Sequence, residues 1–62
     1  MKLIIDNEKT ELDFSGTLDA LLRELKLMRE EVVVKVNGKL APETARVGPG
    51  DEVNVIKVVF GG

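Results

Sequence analysis

The side chains that most often do nucleophilic or acid–base chemistry near neutral pH are missing here, because the sequence has no Cys and no His. Thiolate catalysis, disulfides, Cys-based metal sites and the commonest metal ligand go with them. Ser15 therefore has no partner for a nucleophilic pair, and its hydroxyl is expected to serve local turn or cap bonding. Eleven carboxylates remain, but they alternate with apolar residues or stand beside Lys and Arg, as solvated faces do. Neither a catalytic carboxylate pair nor a metal site is expected. Gly48-Pro49-Gly50 is not a phosphate loop, since Pro49 removes an amide donor and the usual glycine spacings are absent; it reads as a turn. No residue is expected to be catalytic, and the chain is not read as an enzyme.

The remaining candidate is Gly61-Gly62 at the carboxyl end. Helix caps and hairpins use glycine because chain follows the turn, and no chain follows this pair in the sequence as it stands. A backbone without Cβ atoms can enter a narrow channel that any side chain would block. The expectation is a flexible tail, residues 61–62, that delivers the Gly62 carboxylate to a partner's active site, with Gly61 required for entry; a frayed end is the alternative. A carboxylate with a reference pKa of about 3.3 to 3.7 is anionic at neutral pH and a poor electrophile until one oxygen becomes a leaving group. Adenylation would do this, with ATP consumed by the partner and no cofactor bound by the chain itself.

A tail of this kind needs a body to carry it. Lys2-Leu3-Ile4-Ile5-Asp6, then a turn at Asn7-Glu8-Lys9 and a return over residues 10–14, predict a hairpin. Ser15-Gly16 breaks it, and Thr17 is placed to cap a helix with Asp19 in its first turn. Leu18, Leu21, Leu22 and Leu25 form one apolar stripe, while Asp19 and Arg23 are spaced to pair. The β-branched run Val32-Val33-Val34-Lys35-Val36 leads into Asn37-Gly38, which favours a type I′ turn, with Lys39-Leu40-Ala41 as the return. Pro42 ends that strand. Residues 44–51 read as a loop closed by Gly48-Pro49-Gly50-Asp51, and residues 52–60 read as the last strand.

Sixty-two residues with 44% hydrophobic and 32% charged side chains bound this to one small folded domain, residues 1–60, with an aliphatic core and no covalent staple. The element order predicts an α+β fold: a β-grasp, with a mixed sheet of four to five strands and one helix packed across one face. Another small α+β fold with the same element order remains open. A formal net charge of -2 without basic blocks, and only Phe14 and Phe60 as aromatics, argue against nucleic-acid binding. The apolar start is too short for a signal peptide or a membrane span, so no membrane partner is expected and the expected compartment is the cytoplasm.

This pattern resembles the ubiquitin-like sulfur-carrier family, ThiS and MoaD, and ThiS more closely. The resemblance is carried by Thr17-Leu18-Asp19-Ala20-Leu21-Leu22, Val32-Val33-Val34-Lys35-Val36-Asn37-Gly38, Gly50-Asp51-Glu52-Val53 and Gly61-Gly62. It implies that a ThiF-like or MoeB-like adenylyltransferase activates Gly62, that sulfur transfer then makes a thiocarboxylate there, and that the chain is a protein co-substrate. The implied acceptor is a thiazole synthase of thiamine biosynthesis or the large subunit of molybdopterin synthase. Two departures stand out: the position after the helix, often Gly in the family, is Lys26, and bulky Phe60 precedes the diglycine. Lys26 puts the helix cap in doubt.

Strand parity separates the two faces of the sheet. With Leu3, Ile5, Leu12, Phe14, Val34, Val36, Val53 and Val55 turned to the helix, Ile4, Val33, Ile56, Val58 and Phe60 fall on the open face. An exposed apolar stripe leading to a reactive tail is expected to be a partner-docking surface; edge packing, or a bulge turning Val58 inward, is the alternative. Ubiquitin-like proteins generally dock through this face, which favours the first. Two other functions remain open, a modifier joined to lysines through Gly62 and a ubiquitin-like binding module with an inert tail.

Overall fold

Strand β1 (Lys2–Ile5) turns back through Asp6 and Asn7 into β2 (Glu8–Glu11). Both turn residues lie in the left-handed region, with φ of 51° and 69°, a conformation that short polar side chains tolerate better than most. Two residues therefore suffice for the turn, and Glu8 already pairs with Ile5. This corrects the expected hairpin: Glu8 and Lys9 belong to the strand rather than the turn, and the return is not residues 10–14. After one more rung, from the Leu12 N–H to the Met1 carbonyl at 2.9 Å, the chain leaves the sheet, and Leu12 and Phe14 pack against the core from outside it. The computed structural model describes residues 1–58, so the expected positions of Phe60, Gly61 and Gly62 lie outside the described residues.

A two-residue strand, β3 (Gly16–Thr17), runs into helix α1 (Leu18–Glu24). Thr17 caps the helix as expected, its Oγ1 accepting the Ala20 N–H at 3.3 Å. Asp19 and Arg23 pair at 2.7 Å on the solvent side. Leu18, Leu21 and Leu22 are buried and Leu25 is half-buried. At the far end Lys26 adopts φ 58°, the Lys26 N–H reaches the Arg23 carbonyl at 3.1 Å, and the Leu27 N–H reaches the Leu22 carbonyl at 2.9 Å. This is a Schellman closure. The cap forms with Lys in the place that favours glycine, at a conformational cost of about 1 kcal/mol.

A single 3₁₀ turn, Arg29–Glu31, precedes β4 (Val32–Val36). Asn37 and Gly38, with φ of 52° and 84°, then make the expected tight turn into β5 (Lys39–Leu40). The segment expected to be only a loop holds β6 (Arg46–Val47), which pairs antiparallel with β3. Strands of two residues are too short to show alternation, so neither left a pattern in the sequence. The Gly48–Asp51 turn closes through the Asp51 N–H to the Gly48 carbonyl at 3.1 Å. The last described strand is β7 (Glu52–Lys57).

The five-stranded sheet has the order β2-β1-β7-β4-β5. Strand β7 is its middle strand, parallel to β1 and antiparallel to β4. On one face, Leu3, Val34, Val53 and Val55 meet Leu18, Leu21 and Leu22 of the helix, with Met1 and Val47 completing the buried core. Leu18, Leu21, Val53 and Val55 are almost wholly inaccessible, each contributing about 1.5 to 3 kcal/mol of transfer free energy. The arrangement is a ubiquitin-like β-grasp. No helix among the described residues is long and apolar enough to cross a membrane.

Candidate docking surface and tail exit

The sheet register decides which open-face side chains meet. Val33 stands directly opposite Ile56, and Lys35 opposite Asn54, which in turn pairs with Ile4 on the other side. Lys9 continues that second row beyond Ile4, and Leu40 continues it beyond Lys35. The open face therefore carries two adjoining rows, Val33 with Ile56 and, one step along, Lys9, Ile4, Asn54, Lys35 and Leu40. Ile56 is 41% exposed and Leu40 71% exposed, while Ile4, Val33 and Val58 are half-buried. None of these is among the side chains packed against the core.

The structure thus brings Val33 and Ile56 together as expected and sets Ile4 diagonally from Ile56. Leu40 was missed. Its position follows from Asn37-Gly38: a two-residue turn pairs Val36 with Lys39 and Lys35 with Leu40, putting Leu40 on the face that bears Val33. Lys9 ends the second row beside Ile4, and Lys35 stands within it between Asn54 and Leu40, so the patch carries two cations.

At the carboxyl end of β7, pairing runs one residue past the strand, where the Val58 N–H donates to the Glu31 carbonyl at 2.8 Å. Lys57, which breaks the apolar inward set, lies 3.4 Å from Asp6 across the end of β1. The 3₁₀ turn beside Val58 carries Arg29, whose Nη1 is 2.6 Å from a Glu43 carboxylate oxygen. The hydrogen bond and charge of Glu43 hold the Arg29 guanidinium more firmly protonated than usual. Fourteen residues separate the two partners, and no local spacing announces the pair.

The opposite end of the sheet is fastened by Asp51. Its carboxylate accepts from the Asn37 side chain at 3.0 Å and from the Gly48 N–H at 2.8 Å, and Asn37 accepts the Glu52 N–H at 3.0 Å. The Asn37 bond, reinforced by the Gly48 amide, holds the Asp51 carboxyl below its ordinary range. Both turns at that end are thereby tied to the start of β7. Among the described residues no group of three or more Asp or Glu is placed to hold a metal ion.

The comparisons with known proteins agree with this fold. The family model described as the ThiS family matches residues 2–62. A solved structure of the thiamine biosynthesis protein (ThiS) from Geobacter metallireducens is similar over 100% of both chains, at 28% identity and a TM-score of 0.67. Comparison with curated proteins gives no match.

Proposed function

The chain belongs to the ThiS family, and from that premise we propose that it is a sulfur carrier of thiamine biosynthesis whose reactive group is the Gly62 carboxylate. The observation that carries the reading is that the family match runs through Gly61-Gly62 on a body with no Cys and no His of its own. The chemistry then belongs to the terminus. The carboxylate attacks the α-phosphorus of ATP, pyrophosphate leaves, and an acyl-adenylate forms. Sulfide displaces AMP at the acyl carbon and leaves a thiocarboxylate. Its sulfur is nucleophilic at neutral pH and is handed to a thiazole synthase without release of free sulfide.

The partner that activates Gly62 is an adenylyltransferase of the ubiquitin-activating type. It docks on the open sheet face through Ile4, Val33, Ile56 and Val58, with Phe60 joining them where the chain runs on. Leu40 extends the same patch. The middle position of β7 supports this reading, because the strand that bears Ile56 also leads directly to the tail.

The test is incubation with ATP, sulfide and such an adenylyltransferase from the same genome, followed by intact mass. Replacement of one oxygen by one sulfur is expected, together with its loss when Gly61-Gly62 is deleted. An unchanged mass with every such enzyme of that genome overturns the reading.

A further inference from the structure

Among the described residues, the backbone bond nearest the carboxyl end is the one from the Val58 N–H to the Glu31 carbonyl. Whatever fixes Glu31 therefore fixes the point from which the last four residues begin. Glu31 closes the 3₁₀ turn, its own N–H bonding the Met28 carbonyl at 2.9 Å. Arg29 ties that turn to Glu43 at 2.6 Å, with Glu30 a second carboxylate at 3.5 Å. Glu43 is itself anchored, since its carbonyl accepts the Asp19 N–H at 2.9 Å while the Ala45 carbonyl accepts the Leu18 N–H at 2.9 Å. A line of contacts thus runs from the start of α1 through Glu43, Arg29 and Glu31 to Val58.

Two features make the ion pair the important link in that line. The turn, through Arg29 and Glu30, and the 42–44 segment both line an apolar groove with Leu18, Leu22, Val32, Val34 and Ala41, and Arg29 and Glu43 join the two. The other Glu43 oxygen, Oε2, is buried without a hydrogen-bond partner, so the carboxylate is committed to this one cation. Because the Arg29 side chain is 60% exposed, the pair adds little to global stability, and its effect is local.

We infer that the Arg29–Glu43 pair is a latch that holds the Glu31 carbonyl and so aims the chain at Val58, making Arg29 and Glu43 positioning residues for delivery of the tail. The inference rests on the carrier reading above. Its test compares Arg29→Ala, Glu43→Ala and the charge swap Arg29→Glu with Glu43→Arg, measuring Val58 amide hydrogen exchange and the kinetics of pyrophosphate release with the adenylyltransferase. Each single variant is expected to speed Val58 exchange and raise the KM for the carrier by about fivefold, the scale set by an ion pair of this exposure. The kcat should hold, the melting temperature should move little, and the swap should restore both readouts. Unchanged exchange and KM in the single variants overturn the inference, as does a loss that the swap fails to recover. If the wild-type chain is not adenylated at all, the carrier reading fails, and the Val58 exchange rates still decide whether the latch exists.

Discussion

The two faces of β7 use closely similar side chains for opposite ends. Val53 and Val55 point to the helix and are fully buried, while Ile56, one residue on, is 41% exposed and stands beside Val33 on the open face. Hydrophobicity alone does not distinguish them. The difference comes from the single helix, which can cover only one side of the sheet, so the pleat buries alternate residues and leaves those between them on the open face. An apolar residue in this strand can thus be read only with its parity.

The sharpest way to break the comparison is to place the same charge on each side. Val55→Asp buries an unpaired carboxylate and should cost on the order of 4 kcal/mol, a large part of the stability of so small a domain. Ile56→Asp should leave the thermal unfolding curve nearly in place while weakening adenylyltransferase binding by about tenfold, the scale of a peripheral hot-spot contact. Circular dichroism and a titration of the partner measure the two. If Ile56→Asp unfolds the chain, the open face belongs to the core and the comparison collapses.

A smaller change should move stability without touching either face. Lys26→Gly relieves the left-handed strain at the helix end and should raise stability by about 1 kcal/mol in a denaturant titration, leaving partner affinity unchanged. The smallest effect concerns pH. Because the Asp51 carboxyl is held below its ordinary value of 3.8 by Asn37 and Gly48, its contribution to stability is present above that value and is lost as pH falls through the lower, folded one. Asp51→Asn should therefore flatten the fall in melting temperature as the pH drops below 3.8, again without altering the open face.

How much of this was legible in the sequence depended on whether the signal was local. Asn37-Gly38 announced its hairpin because the pair suits positive φ at both positions, and with it the register that places Leu40. Asp6-Asn7 makes the same kind of turn without glycine, and the first hairpin was placed late as a result. The leucine stripe of α1 was readable because it repeats its period, and β4 and β7 because β-branched residues crowd each between turn signals. The β3–β6 pair spans two residues on each side and has no period to read. The Arg29–Glu43 contact joins a turn to a distant loop, so only the folded chain brings it together.

The place of β7 in the sheet also bears on how the protein is made. The middle strand, to which β1 and β4 must both bond, is the last strand of the described chain to leave the ribosome. Earlier segments can form the two hairpins and the helix, but the sheet has no centre until residues 52–57 emerge. A nascent chain cut short before that point exposes unpaired strand edges and is open to proteolysis. Synthesis itself therefore ties possession of a stable body to completion of the strand that leads to the tail.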